Sequence, residues 1–256
     1  MSDAPRLTII LPTYNEAENI AEFIPKIEER FRGEPFRLVV VDDDSPDGTA
    51  DVARELGERY GNIEVLTPPE RKGLGAALRY AYDRATTPYM LSSDSDQSFS
   101  VDEMALLYET ILERDHDLVQ GTRHEAGGSY EVTSFRIRLK KLASTVGNSV
   151  VRVVAGLPLT DVSANFRVLR RDAWDRIDTA ENTNAILFEM IFKCHYGGLK
   201  VSSIPVTFHD RRFGESKLNL VSEIPKFLVR MLYYVVRYRF TGYRLKELPR
   251  RERTSA

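Results

Sequence analysis

Residues 38–49, LVVVDDDSPDGT, run from an apolar stretch directly into an acidic turn. Four consecutive aliphatic residues, Leu38 to Val41, have the unbroken apolar character of a strand covered on both faces, as in the middle of a parallel sheet. Asp42, Asp43 and Asp44 then stand together at its C-terminal end, which is where open α/β sheets bind ligands. Adjacent carboxylates repel, so three in a row imply a ligand or cation to face. Ser45, Asp47 and Thr49 can also cap the following helix, and a cap accounts for any one of these acids taken singly.

Outward from this stretch, short β-rich segments alternate with segments of helical apolar spacing. Strands are expected at residues 7–11, 37–41, 63–66, 89–92, 118–120 and 200–206, and helices at 17–31, 49–60, 74–85 and 104–114. That alternation predicts an α/β fold with a mostly parallel central sheet covered by helices. After Gly121 the rhythm changes to a Gly-rich loop, a basic helix over 134–147, an irregular stretch through Asp161 and a helix near 184–196. No internal repeat is evident.

With 256 residues and 42% hydrophobic content the chain can bury a full core. Its single cysteine, Cys194, excludes an intramolecular disulfide and a cysteine metal cluster, which fits a reducing, cytoplasmic setting. The opening MSDAPR does not read as a secretory leader, and the longest uncharged apolar run near the C-terminus, residues 231–236, falls short of the roughly 20 residues of a membrane span. The net charge of −2 conceals polarity: from His209 onward there are 12 Lys plus Arg against 5 Asp plus Glu, leaving −9 for the rest. A basic, aromatic C-terminal region points to an anionic partner, a membrane surface or a phosphate-bearing molecule.

Further motifs fall at or near the expected strand ends. Residues 12–20, PTYNEAENI, offer a stacking face at Tyr14 and polar groups at Asn15 and Glu16. Residues 93–98, SDSDQS, set Asp94 and Asp96 two apart among hydroxyls at Ser93, Ser95 and Ser98. Carboxylates and hydroxyls without histidine or thiolate are hard oxygen ligands, suited to Mg2+ or Mn2+ held jointly with a substrate's phosphates. Residues 70–78, ERKGLGAAL, lack the third glycine of a dinucleotide fingerprint, and no phosphate loop ending in Gly-Lys-Ser or Gly-Lys-Thr occurs, which argues against a dehydrogenase and a P-loop enzyme. Gly73 and Gly75 are expected to permit close backbone packing at a helix start, with Lys72 near a phosphate.

In this order PTYNEAENI, VVVDDDSPDGT, KGLGAAL, DSD, GTR, DVSANFRVLRR and FHDRRFGESKL resemble the family 2 glycosyltransferases, and within them the polyprenyl-phosphate sugar transferases, over about residues 7–230. The resemblance implies a GT-A fold, a nucleotide-diphosphate sugar donor, a divalent metal and inversion at the anomeric carbon. It matches Pro12, Tyr14, Glu16, Asp42 and Asp44 to nucleotide-sugar binding, with Asp44 standing where the family usually has Asn; Lys72 and Ser95, the latter a departure from the family pattern, complete the expected nucleotide-sugar-binding set. Asp94 and Asp96 match the metal pair and Ser98 the place of a third ligand. Arg211 and Lys217 match groups on the donor phosphates and, with the two aspartates, form the expected catalytic set. Arg123, Lys140 and Ser144 match the acceptor-phosphate site, where Lys140 and Lys141 replace paired arginines.

The implied acceptor is a polyprenyl, dolichyl-type monophosphate and the implied sugar a hexose, mannose or glucose. A phosphate monoester already carries a charge of about −1.5 to −2 at pH 7 and needs cations rather than a strong base. Arg123, Arg136, Arg138, Lys140 and Lys141 supply them. A sugar-hydroxyl acceptor would instead need a carboxylate base, for which Asp161 and Glu189 are candidates. A silent nucleotide-sugar-binding subunit is the third reading, and nucleic acid is not an expected partner because no reading motif accompanies the basic groups.

The expected organisation is a catalytic domain over 1–216, an amphipathic segment over 217–245 and a disordered tail over 246–256. Leu220, Val221, Ile224, Phe227, Leu228, Met231, Leu232 and Val235 follow helical spacing beside Lys226, Arg230, Arg237 and Arg239, which suits either a bilayer interface or packing on the core. Peripheral association with the cytosolic face of a membrane is therefore expected, with room for a separate membrane subunit.

Overall fold

The structure, a computed structural model, describes residues 4–69, 73–123, 129–131, 155–213 and 220–247. In chain order the elements are β1 (Leu7–Thr13), α1 (Ala17–Arg30), β2 (Phe36–Asp42), α2 (Thr49–Tyr60), β3 (Ile63–Leu66), α3 (Leu74–Arg84), β4 (Tyr89–Ser93), α4 (Val101–Arg114), β5 (Leu118–Thr122), β6 (Ser129–Glu131), β7 (Phe166–Arg170), α5 (Arg171–Arg176), α6 (Ile186–Tyr196), β8 (Val201–Pro205), β9 (Thr207–His209) and α7 (Leu220–Thr241).

The main sheet has seven strands in the order β3-β2-β1-β4-β7-β5-β8. All run parallel except β7, which is antiparallel to both neighbours. The predicted mixed α/β architecture is therefore present. Its physical basis shows in β2, where Leu38 and Val40 pack under α1 with Phe23 and Ile27, while Val39 and Val41 pack on the opposite face against Leu78, Ala81 and Tyr82 of α3. A strand covered on both faces has no polar side to show, hence the continuous apolar run. Helix α4 starts where Ser100 accepts from the Glu103 amide while the Glu103 carboxylate accepts from the Ser100 amide, a reciprocal cap.

The structure differs from the sequence expectation at several points, among them the short helix α5 and the strand β6, neither of which was expected. Residues 166–170 form β7, inserted between β4 and β5, where no strand was expected. The segment expected as one strand over 200–206 divides at Val206 into β8 and β9, and β9 pairs with β6 in a separate two-stranded ribbon. The expected basic helix over 134–147 lies outside the described residues.

A third apolar cluster joins α6 to α7. Phe188 and Phe192 pack against Met231, Tyr234, Val235 and Tyr238. The chain then turns back, with the Lys246 amide donating to the Arg176 carbonyl and the Asp178 amide to the Tyr243 hydroxyl. Residues 248–256 lie outside the described residues.

Candidate active site

The parallel strands deliver their C-terminal ends to one edge of the sheet, and the antiparallel sense of β7 brings its N-terminal end there too: Phe166 is paired with Ser93. Segments far apart in sequence, around Asn15, Asp42, Asp94, Arg123, Asp161 and Arg211, therefore belong to one end of the fold.

The acidic turn after β2 is tied to the loop after β1. Asp42 is buried and accepts from Thr13 Oγ1 (3.1 Å), Ser45 Oγ (2.5 Å) and the Ser45 amide (2.9 Å). The amides of Asn15, Glu16 and Ala17 in turn donate to Ser45 Oγ, Thr49 Oγ1 and Asp47 Oδ2. Against the opposing push of burial, hydrogen bonds from Thr49 and the Ala17 amide hold the Asp47 carboxyl below its ordinary range. Asp47 and Thr49 thus accept from amides at the start of α1, and Asp47 also accepts from the Thr49 amide, but the N-cap of α2 is Gly48 rather than any of the three residues expected to cap it. Asp44 is exposed and has φ 60, in the left-handed region that Asp and Asn tolerate better than other side chains.

At the end of β4, Asp94 and Asp96 lie close enough to affect one another. Burial first and the Asp96 carboxylate second push the Asp94 carboxyl up to about 7, against the opposing hydrogen bond from Asn165 and the charges of Arg211 and Arg123. Asp96 is buried and accepts from the Ser98 amide at 3.0 Å. Its Oδ2 meets Arg211 Nε at 2.9 Å, and the same guanidinium reaches Glu16 Oε1 at 3.6 Å. Glu16 is oriented by Asn19, whose amide donates to it at 2.5 Å and to the Phe213 carbonyl at 3.3 Å. Ser95 is buried, with Oγ 3.4 Å from the Pro12 carbonyl. The buried Ser98 Oγ has no hydrogen-bond partner among the described residues.

These donors fit a hard divalent cation: oxygen atoms alone, two crowded carboxylates and an orphaned hydroxyl. Among the described residues no group of three His, Cys, Asp or Glu side chains could hold a metal.

Arg123 donates to Asp161 through Nε (2.6 Å) and Nη2 (3.1 Å), and Nη2 also reaches Ser163 Oγ at 2.9 Å. Asp161 is fully buried and accepts further from the Ser163 amide and hydroxyl. It is occupied as a scaffold for Arg123, which makes it a poor general base. Glu189, the other candidate base, accepts from the amides of Ala180 and Glu181, from Lys193 Nζ (2.8 Å) and from the Tyr234 hydroxyl (3.1 Å), beneath α7. Neither carboxylate meets the requirement of a hydroxyl-activating base.

The glycines at the start of α3 have the packing role expected of them. The amides of Gly75 and Ala76 donate to the Asn182 carbonyl, and a Cβ on Gly75 would fall 2.7 Å from the Thr183 carbonyl oxygen and closer still to that of Glu181. The helix start is thus capped by protein carbonyl. Of the expected site residues, Lys72, Lys140, Ser144 and Lys217 lie outside the described residues. The sequence reading missed Asn165, Ser163 and Asn19 as organisers of the site. Asn165 and Ser163 lie within the quoted DVSANF motif, but only the fold shows that they point back to Asp94 and Asp161.

Comparison with known proteins agrees with this geometry. The family model described as "Glycosyl transferase family 2" matches residues 8–178. The chain is 32% identical over 214 residues to a dolichol-phosphate mannosyltransferase from Pyrococcus furiosus, covering 83% of this chain and 59% of that protein. It is 28% identical over 221 residues to a polyprenol monophosphomannose synthase from Mycolicibacterium smegmatis, covering 84% of this chain and 81% of the relative. In fold it resembles glucosyl-3-phosphoglycerate synthase from Mycobacterium tuberculosis, crystallised with Mn2+, uridine diphosphate and glucosyl-3-phosphoglycerate, with a TM-score of 0.68 and 16% identity over 91% of this chain and 79% of that one.

Proposed function

The chain belongs to glycosyl transferase family 2 and has a GT-A-type fold, and from that premise we propose that it moves a hexose from a nucleotide-diphosphate sugar to a polyprenyl monophosphate with inversion at the anomeric carbon. The observation that carries the reading is the Asp94–Asp96 pair, crowded at a strand end beside Arg211, with Arg123 held separately by Asp161. One group suits the leaving diphosphate and the other an incoming phosphate.

Asp94 and Asp96 would hold Mg2+ or Mn2+, with Ser98 as a further oxygen donor. Such an ion, when bound, neutralises charge on the leaving diphosphate. Pro12, Tyr14, Glu16, Asp42, Asp44, Ser95 and Lys72 form the donor-binding set in this reading, and Arg211 and Lys217 add positive charge where the diphosphate departs. An oxygen of the acceptor phosphate forms the new bond to the anomeric carbon as the bond to the donor diphosphate breaks, releasing a nucleoside diphosphate. That oxygen carries its charge before reaction, so no base is required, in keeping with the engaged state of Asp161 and Glu189. Arg123, Lys140 and Ser144 are assigned to the acceptor phosphate. The relatives' names, dolichol-phosphate mannosyltransferase and polyprenol monophosphomannose synthase, support mannose and a lipid phosphate as the first substrates to try.

No helix among the described residues is long and apolar enough to cross a membrane. A lipid acceptor is reached in this reading by peripheral contact through α7. Its core-facing side carries Met231, Tyr234, Val235 and Tyr238, and its outer side exposes Val229, Leu232, Tyr233, Val236 and Phe240 beside Arg237 and Arg239. Of the positions expected on the apolar face, Met231 and Val235 face the core and only Leu232 is exposed, while the side chains of Leu220, Val221, Ile224, Phe227 and Leu228 lie outside those described.

The test is transfer of radiolabelled sugar from a panel of nucleotide sugars into polyprenyl phosphate, with Mg2+ or Mn2+ and an EDTA control. Metal-dependent label in the organic phase, lost in Asp96→Ala, is the expected result. Donor binding without lipid product on any polyprenyl phosphate overturns the reading.

A further inference from the structure

Behind the Asp94–Asp96 pair runs a buried chain of hydrogen bonds that the proposed reaction does not use. The Tyr82 hydroxyl on α3 donates to Ser92 Oγ on β4 at 2.7 Å, Ser92 Oγ donates to Asn165 Oδ1 at 2.8 Å, and Asn165 Nδ2 donates to Asp94 Oδ1 at 3.2 Å. Tyr82, Ser92 and Asn165 are all buried, with relative exposures of 0%, 0% and 2%. We propose that Asn165 is a positioning residue for cation binding, and that Tyr82 and Ser92 fix its amide so that a donor, never an acceptor, faces the Asp94 carboxylate.

The direction follows from counting hydrogens. A tyrosine hydroxyl and a serine hydroxyl each own one. Once Tyr82 gives its hydrogen to Ser92, the hydrogen of Ser92 is available to Asn165 Oδ1, and the amide must then turn its NH2 group toward Asp94. Without these two hydroxyls an asparagine beside a carboxylate could flip, pointing its carbonyl oxygen at the aspartate and repelling it. The backbone beside Asn165 is pinned as well: the Ala164 carbonyl accepts from Arg167 Nη2 at 2.7 Å and from Gln120 Nε2 at 3.1 Å, both from buried side chains. Arg167 is anchored at its other end on the Leu187 carbonyl at 2.6 Å. One Asp94 oxygen is thereby held by a preset donor, which fixes the orientation of the carboxylate. Outer groups of this kind commonly set ligand geometry at metal sites, and their loss typically weakens metal affinity by about 10- to 100-fold.

The inference rests on the reading of Asp94 as a cation ligand, so the test measures the cation directly. Mn2+ binding is titrated by electron paramagnetic resonance, with nucleoside diphosphate present, for wild type, Asn165→Ala and Tyr82→Phe at a temperature where near-ultraviolet circular dichroism shows each folded. Asn165→Ala is expected to weaken Mn2+ by about 10- to 100-fold. Tyr82→Phe, which keeps the ring on Trp174 at a centroid distance of 4.7 Å and removes only the hydroxyl, is expected to weaken it several-fold. A loss of folding stability alone would leave the Mn2+ affinity of the folded fraction unchanged. Asn165→Ala binding Mn2+ within twofold of wild type overturns the inference. Should that variant fail to fold, Tyr82→Phe decides: weakened binding supports the relay and unchanged binding overturns it. Wild type binding no Mn2+ would defeat the metal reading itself, an outcome distinct from equal binding by wild type and variants.

Discussion

Arg123 and Asp161 meet side by side, Nε to Oδ2 at 2.6 Å and Nη2 to Oδ1 at 3.1 Å, with the aspartate fully buried and the arginine side chain 14% exposed. Breaking a buried pair leaves one charge uncompensated, at a cost of about 3–5 kcal/mol. Asp161→Ala is therefore expected to lose stability of that order in urea unfolding and to lose transfer activity. Replacing both members, Arg123→Met with Asp161→Leu, removes the stranded charge and is expected to recover most of the stability. The double variant should remain inactive with a phosphate acceptor, because its cation is gone. Recovery of activity with stability would show the pair to be structural only.

The two sides of α7 respond oppositely to a charge. Phe240 is 79% exposed, so Phe240→Asp is expected to change stability by no more than about 0.5 kcal/mol. Met231 is buried in the α6–α7 cluster, where an unpaired carboxylate costs several kcal/mol, so Met231→Asp should shift the unfolding midpoint strongly. Flotation with anionic liposomes reads the outer side: wild type rises with the vesicles, and Val236→Asp with Phe240→Asp stays at the bottom while keeping native circular dichroism. Wild type failing to float would remove the membrane role of this face.

The sequence revealed the parallel part of the sheet because short β-rich segments alternate with helical ones, because residues 38–41 of β2 are apolar without interruption, and because carboxylates crowd where β2 and β4 end. It concealed β7. FRVLR carries two arginines in five residues, which contradicts a buried strand, yet Arg167 is accommodated by donating to the nearby Ala164 carbonyl and to that of Leu187 at the start of α6. The spacing of α7 revealed a helix but not its orientation, since apolar residues lie on both its buried and its exposed sides. In the site, the residue types were legible and their partners were not. Asp42 was legible as a donor-binding group and Asp161 as a candidate base, but not the contacts of Asp42 with Thr13 and Ser45 or the engagement of Asp161 by Arg123 and Ser163.

Gly75 tests the close approach of α3 to residues 181–183. Alanine ordinarily stabilises a helix by up to about 1 kcal/mol over glycine. Here its Cβ would meet the backbone of Glu181, Asn182 and Thr183, with the Asn182 carbonyl carbon only 2.7 Å away. Backbone does not rotate aside, so overpacking of about 1–3 kcal/mol outweighs the propensity gain. Gly75→Ala is expected to lower the denaturation midpoint, and a raised midpoint would show that the segment yields.

Cys194 gives a chemical readout of the same core. It is fully buried on α6, and burial pushes its thiol up to about 12. The thiolate is the reactive form, so at pH 8 the buried thiol is almost wholly protonated, before access is considered. Native protein is expected to show no reaction with Ellman's reagent over an hour at pH 8, and one thiol per chain after addition of guanidinium. Cys194 packs with Leu118, Leu169 and Trp174 on the side of α6 away from α7, so Met231→Asp is expected to raise the labelling rate only through its loss of overall stability, while Phe240→Asp leaves it unchanged. Equal labelling of both variants would mean that the α6–α7 cluster contributes little to the stability of this part of the core.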